Sequence, residues 1–457
     1  MLLSITRSIA TVRTVSLSAL GARFNSAPAS GVSRLSKSLI QVAGTDATKF
    51  LNGLITSRLM PTLTKKNEHT VTEPATGDDA DIHAIDVSRN WGIMHEDIFS
   101  GAATDSERLS VLRDGIFSMI LNSKGRVFGD VFLYPTPFTV SEAQSEDLAA
   151  YLLEVDTANA RKMMMMLKMH KLKSQVIITS QPRLSSYYYY NDSPEFSQFV
   201  ENFKTVLFSL TKSPGQALEN ATVFMQSEIL FQSDAPVVGF AIDGRVPGFG
   251  VKFLVDDAGD ADAVIAASRL LTIEESPHIV DEAVLRTRRF ANGVIESADV
   301  LNTGDPALAG VNFLPFDLNL DYTMGMSLDK GCYVGQELTI RTYTAGVIRK
   351  RCVPGSIMIT GEAPSSLIGC ELSPIYDSPI TVELDLVSSP FASPFGVSNP
   401  TKRRRRSGGK IVAVDGARCF ALMSLDQIAK TKVYRCDLEN GAEVRVEFEV
   451  PAWWPVE

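Results

Sequence analysis

Apolar and polar residues alternate or recur with helical spacing along most of the chain, which predicts mixed α and β structure. Residues 38–42 predict a strand. Residues 45–46 then offer a helix cap ahead of an apolar face at residues 50–55. This opening predicts a strand followed directly by a short helix.

The same periodic pattern continues through the next part of the chain. Residues 115–122 and 126–134 predict the two strands of a β-hairpin, with a tight turn between them. Residues 152–155 predict a further strand, 158–169 a helix and 175–178 another strand. Two similar α+β lobes would fit the length of the chain.

Two unusual runs interrupt this pattern. The four methionines at 163–166 lie within the predicted helix, which favours ordinary core and interface packing over a metal site or a flexible groove. The tyrosines at 187–190 predict a loop insertion or an edge strand, with no function attached.

The pattern of predicted elements changes within the second half of the chain. Strands near 239–242 and 251–255 and a helix near 261–271 repeat the α+β pattern. After residue 351, short strands and turns predict a small β-domain over 346–457 that carries a long Pro- and Ser-rich loop at 364–406.

Charge is unevenly distributed along the 457 residues, whose formal net charge is −9. Residues 1–45 contain arginine and lysine but no aspartate or glutamate, and they are rich in serine and threonine. This composition predicts a mitochondrial transit peptide and disordered N-terminus over 1–33, the alternative being a disordered basic tail. Cleavage near Arg23 would leave a more acidic chain, which argues against general nucleic-acid binding.

Other segments further limit the class of protein to which this chain can belong. No apolar run approaches the roughly 18 residues that a transmembrane helix needs, so no membrane span is predicted. Residues 66–108 are acidic and irregular, which predicts a partly disordered insertion loop. The basic run 401–407 predicts a solvated loop. All five cysteines lie in the last third without metal-finger spacing, which favours free thiols.

The densest group of chemically informative residues lies at 328–341. Gly331 and Gly335 bracket Cys332, while Lys330 and Arg341 supply positive charge nearby. A thiol in such surroundings ionises more readily, and the thiolate is the form that binds iron or copper. Cys332 is therefore the candidate functional cysteine, and an ordinary structural cysteine is the alternative.

The string KGCYVGQE at 330–337 resembles the signature K-G-C-[FY]-x-G-Q-E of the YgfZ family. Mitochondrial members of that family are iron–sulfur cluster assembly factors related to the folate-binding glycine-cleavage T-protein, and this chain resembles a fungal-type member. Further stretches resemble the family in the same order along the chain: 44–54, 121–130, 170–176, 243–245, 286, 314–321 and 408–423.

The resemblance implies an α+β fold. It comprises a two-lobed, GcvT-like folate-binding region over 34–345, interrupted by the acidic insertion 66–108, and a small C-terminal β-barrel over 346–457. It places the cysteine motif near the mouth of a central cavity. It also implies the mitochondrial matrix as the compartment.

The resemblance further implies a role for the motif. Cys332 would be a ligand to a transient iron–sulfur cluster shared with an A-type scaffold protein, on the way to 4Fe–4S clients such as aconitase and lipoate synthase. One thiol cannot enclose a cluster, so a partner is required. The other motif residues would support the thiol by turning the backbone, by hydrogen bonding or by charge: Lys330, Gly331, Tyr333, Gly335, Gln336, Glu337 and Arg341.

Tetrahydrofolate is a possible second ligand, because Arg126, Asp130, Arg245 and Arg286 could line a pterin or glutamate-tail pocket. The alternative function is a folate-dependent one-carbon (aminomethyl) transferase, and a purely structural adaptor is a third. The T-protein has paired aspartates where this chain has Gly129 before Asp130, which weakens the aminomethyl-transfer alternative. A non-enzymatic assembly factor is therefore favoured.

Overall fold

The computed structural model describes residues 28–61, 84–96, 108–139, 147–204, 211–256, 278–346, 348–360, 366–376, 408–437 and 443–455. Most of the predicted transit peptide, the predicted helix at 261–271, the basic run 401–407 and most of the loop 364–406 lie outside the described residues.

Within the described ranges, the strands form two antiparallel sheets, a two-stranded ribbon and a closed barrel. The strands before the barrel are β1 (Ser30–Arg34), β2 (Lys37–Ala43), β3 (Ile93–Glu96), β4 (Leu109–Leu112), β5 (Ile116–Leu121), β6 (Val127–Pro135), β7 (Ala150–Asp156), β8 (Ile177–Ser180), β9 (Leu184–Asn191), β10 (Val237–Ile242) and β11 (Val251–Asp256). The barrel strands are β12 (Lys350–Thr360), β13 (Glu371–Pro374), β14 (Gly409–Asp415), β15 (Arg418–Ser424), β16 (Val433–Asp437) and β17 (Glu443–Phe448). The α-helices are α1 (Ala47–Asn52), α2 (Ala160–His170), α3 (Pro194–Phe203), α4 (Pro214–Gln226), α5 (Glu282–Ala291), α6 (Ser297–Leu301), α7 (Gln336–Thr344) and α8 (Leu425–Ile428).

The first sheet has the strand order β5–β6–β7–β2–β8 and contains the predicted hairpin, which is confirmed. The turn between β5 and β6 closes because the Asn122 side-chain oxygen accepts the backbone N–H groups of Lys124 and Arg126 at 2.9 and 3.1 Å. Helix α2 covers one face of this sheet with Met163, Met166 and Leu167. Core packing of the methionine run is thus confirmed for two of its members.

We call the part of the chain built on this sheet the first lobe, and the part built on the second sheet the second lobe. Two element boundaries in the first lobe differ from the expectation. Helix α1 ends at Asn52 next to Gly53, so Leu54 and Ile55 enter the core from irregular chain rather than from a helical face. Asp46 does not cap the helix with its side chain, because its carboxylate accepts the backbone N–H of Gln175 at 2.7 Å. Gln175 therefore lies in irregular chain, and β8 begins two residues later than predicted.

The prediction of a loop or edge strand at 187–190 is wrong. These tyrosines lie in β9, an interior strand of the second sheet, whose order is β1–β9–β11–β10. Tyr187 stacks on Phe253 and Tyr189 meets Phe196 edge to face, while Tyr188 packs on the opposite side against Phe249. Both faces of the strand are buried, so large aromatic side chains replace the alternation that a half-exposed strand would show.

The interpretation of 66–108 as a single irregular insertion is also wrong for its described part. Strand β3 lies within that segment and pairs with β4. Trp91, Ile93 and Met94 are buried, and the Trp91 indole N–H donates to the Thr48 hydroxyl at 3.1 Å. The segment therefore forms a packed ribbon against the first lobe, while its residues 66–83 and 97–107 lie outside the described residues.

A buried polar cluster connects the two sheets. The Glu154 carboxylate on β7 accepts hydrogen bonds from Tyr134 on β6 at 2.9 Å and from Ser186 on β9 at 2.9 Å. The Lys252 ammonium on β11 donates to the other carboxylate oxygen at 2.5 Å. Glu154 and Lys252 are almost fully buried, so each charge is stabilised by the other rather than by water.

The C-terminal domain confirms the predicted small β-barrel. Its strands close in the order β12–β15–β14–β13–β16–β17 around an apolar core. Arg351 on β12 forms a bidentate ion pair with Asp321 at 2.8 Å for both contacts, which joins the barrel to the segment before the cysteine motif. In the part of the chain that is described, helices fall short of the length and apolarity needed to span a bilayer.

We expect Lys252→Met to lower the free energy of unfolding by about 3–5 kcal/mol, because it leaves the Glu154 carboxylate buried without its cation. The double variant with Glu154→Gln should recover most of that loss, since no uncompensated charge then remains. Urea denaturation followed by circular dichroism measures both. If the double variant were as unstable as Lys252→Met alone, the two side chains would not act as a pair.

Candidate functional site

The cysteine motif forms a loop ahead of helix α7, and Cys332 is exposed on that loop. The loop runs alongside residues 52–57, the segment that follows helix α1. Ser327 N–H donates to the Thr56 carbonyl at 3.0 Å, and Val334 N–H donates to the Gly53 carbonyl at 3.0 Å. Two backbone hydrogen bonds therefore fix the loop on either side of Cys332.

Lys330 provides a third and stronger attachment. Its ammonium donates to the carbonyl oxygens of Asn52 at 2.8 Å, Ile55 at 2.6 Å and Ser57 at 2.9 Å. Carbonyls at the C-terminal end of a helix lack intrahelical donors and carry partial negative charge, so they suit a cation. Lys330 therefore satisfies the end of α1 while it holds the loop.

The Lys330 side-chain nitrogen is also buried against an aromatic ring. It lies 4.7 Å from the centre of the Tyr333 ring, within range of a cation–π contact. Burial lowers the pKa of Lys330 to about 7, and the nearby charge of Glu96 acts in the opposite direction. At neutral pH the Lys330 side chain is therefore only partly charged, and its hydrogen bonds are directed to the first lobe.

The glycine and glutamine of the motif shape the turn into α7. Gly335 has φ of +80°, and a Cβ atom there would lie 2.4 Å from the Asn122 carbonyl oxygen, so only glycine fits against the β5–β6 turn. The Gln336 side-chain oxygen accepts the Tyr333 N–H at 3.1 Å, in line with the predicted role of Gln336 in orienting the motif. Gly331 has no left-handed backbone conformation.

Helix α7 presents mostly exposed side chains next to the loop. Thr339 is its buried residue, whereas Glu337 and Arg341 are exposed. Ile340 is 43% exposed and Tyr343 52% exposed. Exposed apolar and charged side chains therefore lie on the helix that directly follows the cysteine loop.

Two further residues, Arg108 and Glu96, support this loop, and neither was identified from the sequence. Arg108 lies 3.4 Å from the Asp329 carboxylate and 3.8 Å from Glu96 on β3. Through these contacts, Arg108 connects Asp329 at the start of the motif loop to β3. Strand β3 lies in the segment that the sequence predicts to be an irregular insertion. No local pattern could have shown this, because Arg108 and Asp329 are 221 residues apart.

A separate cavity of about 510 Å³ lies among the two lobes and helices α5 and α6. Its described lining includes six basic side chains: Lys37, Arg245, Lys252, Arg286, Arg288 and Arg289. It also includes five carboxylates: Asp156, Asp281, Glu282, Glu296 and Asp299. The cavity is therefore close to electrically balanced.

The four residues predicted to form a folate pocket do not converge on this cavity. Arg245 and Arg286 line it. The Asp130 carboxylate instead accepts the hydroxyl and backbone N–H of Ser297 at 2.5 and 3.2 Å, at the start of α6. Arg126 donates to the Asn312 carbonyl at 3.0 Å, near the β5–β6 turn.

The cavity does not fit the expected mode of tetrahydrofolate binding. Arg245 is already bound to Asp243 at 2.8 Å and to Glu296 at 2.9 Å, and only 3% of its side chain is exposed. Arg286 is the most exposed of the cavity's basic side chains at 42%, and Asp299 lies 3.4 Å from it. Cations engaged in this way are poorly placed to form bidentate pairs with the carboxylates of a glutamate tail.

The other four cysteines belong to the barrel domain and differ from Cys332 in exposure. Cys352, Cys419 and Cys436 are buried, and Cys370 is partly exposed. Burial raises the pKa of Cys419 to about 12 and that of Cys352 as well, so both favour the thiol form. Over the described ranges, no cluster of three or more His, Cys, Asp or Glu residues is arranged to hold a metal ion.

Comparison with known proteins first identifies the barrel. Residues 349–456 match the family model described as the C-terminal β-barrel domain of CAF17. Among solved structures, the glycine cleavage system aminomethyltransferase T from Bartonella henselae aligns with a TM-score of 0.49 and 10% sequence identity, covering 93% of this chain and 86% of that one.

Full-length relatives then identify the family. The mitochondrial iron–sulfur cluster assembly factor IBA57 homolog of Meyerozyma guilliermondii is 40% identical over 453 residues, covering 94% of this chain and 99% of that protein. The Candida albicans homolog is 39% identical with the same coverage. IBA57 of Saccharomyces cerevisiae is 26% identical over 92% of this chain and 87% of its own length. The chain belongs to the IBA57 family of mitochondrial iron–sulfur cluster assembly factors, which confirms the resemblance drawn from the cysteine motif.

We expect Lys330→Met to lower the free energy of unfolding by about 2–4 kcal/mol, because buried carbonyl groups lose their donor. Lys124→Met in the exposed β5–β6 turn is the matched control and should change stability by less than about 0.5 kcal/mol. Urea denaturation measures both variants. Equal stability of the two would mean that the Lys330 contact does not hold the loop.

Proposed function

We propose that this chain acts with A-type scaffold proteins in the mitochondrial matrix, where Cys332 supplies one ligand to a transient iron–sulfur cluster shared between the two proteins. The observation that carries this proposal is an exposed thiol on a loop fixed by the Lys330 ammonium and two flanking backbone bonds. Fixed backbone and open access suit a ligand that must meet a cluster arriving on another protein.

The number and location of the cysteines support a shared site. Iron–sulfur clusters are usually held by four thiolates, and this chain offers one on the motif loop. The remaining cysteines lie in the barrel domain, most of them within its buried interior. The partner would therefore supply the other cluster ligands, and dissociation of the two proteins would release the cluster for transfer.

The exposed side of helix α7 offers a contact surface for that partner. Ile340 and Tyr343, both exposed on the helix that follows the cysteine loop, would contribute apolar area. Arg341, exposed in the last turn of the helix, would stabilise the negative charge of a thiolate-ligated cluster. Glu337 lies in the first turn of the helix, where its negative charge interacts favourably with the positive end of the helix dipole. It would thereby help to orient the helix.

The proposed clients are mitochondrial 4Fe–4S proteins such as aconitase and lipoate synthase. Support comes from the names of the relatives, which describe mitochondrial iron–sulfur cluster assembly factors, and from the acid-free N-terminal sequence typical of a transit peptide.

The folate-dependent aminomethyl transferase alternative has weaker support. Asp130, the aspartate at the position where the T-protein has a pair, is 8% exposed and caps the start of α6 through Ser297. A carboxylate held in that way is poorly placed to bind a substrate nitrogen. We therefore expect no turnover of an aminomethyl donor with tetrahydrofolate.

We expect Cys332→Ser to abolish the visible absorbance of the shared cluster when the chain and an A-type scaffold are reconstituted together without oxygen, because serine lacks the soft sulfur that iron prefers. Cys370→Ser is the matched control, since it removes a partly exposed thiol outside the motif, and should leave the spectrum unchanged. Aconitase activity in cells that carry each variant in place of the wild type gives the physiological readout. An unchanged spectrum and normal aconitase activity for Cys332→Ser would contradict the proposal.

A further inference from the structure

Helix α2 exposes apolar and basic side chains on one face, and none of them lines the cavity described above. At 3.6 residues per turn, its exposed residues fall within roughly a third of the helix circumference. These exposed residues are Arg161, Lys162, Met165, Lys168 and Met169. Met165 is 56% exposed and Met169 66% exposed, although apolar side chains of this size are usually covered.

The turn after α2 extends this face. Leu172 is 87% exposed and has a left-handed backbone with φ of 44°. It stands between Lys171 and Lys173. We call residues 161–173 the basic tip. Leu172 is the most exposed apolar side chain of the basic tip, and it projects from a turn rather than lining a groove.

The charge of the basic tip contrasts with the rest of the chain. Residues 157–191 contain no aspartate or glutamate, whereas the whole chain carries a net charge of −9. Arg183, further along this stretch, pairs with Asp256 at 3.2 Å and is not part of the tip. The basic side chains of the tip therefore form a local positive surface on an acidic protein.

The carboxylates on either side of this stretch in sequence, and one that bonds to it, have other partners. Asp156, before the tip, accepts hydrogen bonds from Ala158 N–H and the Asn302 side chain, both at 3.0 Å. Asp192, after it, pairs with Arg288 at 2.6 Å. Asp46, from the packed segment before α1, accepts the Gln175 N–H. None of these contacts is with a basic side chain of the tip.

We propose that the basic tip binds an anionic lipid surface. Met165, Met169 and Leu172 would enter the boundary between headgroups and acyl chains, while the flanking lysines contact lipid phosphates. Helices that lie in a membrane interface combine such an apolar face with basic flanks, and anionic headgroups attract clustered lysine and arginine. The chain would then be a peripheral membrane protein in its mitochondrial setting.

The shape of the tip favours lipid over an acidic protein partner. Protein interfaces centre on residues that enter pockets, with tryptophan, tyrosine and arginine carrying most of the binding energy. The tip instead offers flexible methionine and leucine side chains on a protruding turn, which need no preformed pocket in the partner. Lysines with long apolar stems can lie along the same lipid boundary.

Vesicle co-sedimentation tests the proposal. The full chain carries Arg7→Gln, Arg13→Gln and Arg23→Gln in every sample, so that its basic N-terminal segment does not dominate binding. We expect sedimentation with phosphatidylcholine vesicles that contain cardiolipin, little with phosphatidylcholine alone, and release by high salt.

Two pairs of substitutions separate the contributions of charge and apolar contact. Lys168→Glu with Lys173→Glu should weaken binding at least about tenfold, since each basic residue near an anionic surface contributes about fivefold. Met169→Glu with Leu172→Glu should also weaken binding at least about tenfold, because a charged side chain replaces each inserted apolar one.

Matched controls lie on the barrel. Lys430→Glu with Lys432→Glu makes the same charge change at exposed positions, and Met358→Glu replaces a methionine that is 50% exposed. Both should bind like the parent chain. Absence of binding to the cardiolipin vesicles, or equal loss in tip and barrel variants, would overturn the proposal. Binding only to an acidic protein, with none to vesicles, would overturn it as well.

Discussion

The exposed position of Cys332 depends on a buried ammonium group. Lys330 donates to three carbonyl oxygens at the end of helix α1 and just after it, which fastens the motif loop to the first lobe across 273–278 residues of sequence. The two flanking backbone bonds and Gly335 against the β5–β6 turn complete the attachment. The thiol can therefore face solvent while the backbone that carries it stays fixed, and this combination suits a ligand that meets its metal on another protein.

Buried charges have a similar structural role elsewhere in the chain. Glu154 connects the two sheets through Lys252. Arg245 connects Asp243 with Glu296 beside the cavity of about 510 Å³. In each case a charge that could have faced a ligand is neutralised by the protein itself. The cavity is thus a junction between the lobes and α5 and α6, while the exposed chemistry lies on the motif loop.

The sequence predicted much of the fold and proposed a candidate site, but it did not show how that site is assembled. Strand patterns on either side of a tight turn predicted the β5–β6 hairpin, short strands and turns together with the family resemblance predicted the barrel, and the short motif drew attention to Cys332, which is exposed. The tyrosine strand was misjudged because both its faces are buried, which removes the alternation that marks a strand. The role of Lys330 was also out of reach, since its partners are backbone carbonyls that no residue pattern records. The Arg108–Asp329 contact depends on long-range packing for the same reason.

Thiol footprinting of the cluster-loaded complex tests the central claim most directly. The chain and an A-type scaffold are treated with an alkylating reagent with and without the cluster, and each cysteine is quantified by mass spectrometry. We expect Cys332 to be alkylated without the cluster and protected with it, while the partly exposed Cys370 reacts equally in both states. Equal alkylation of Cys332 in the two states would contradict the assignment of its sulfur as a cluster ligand.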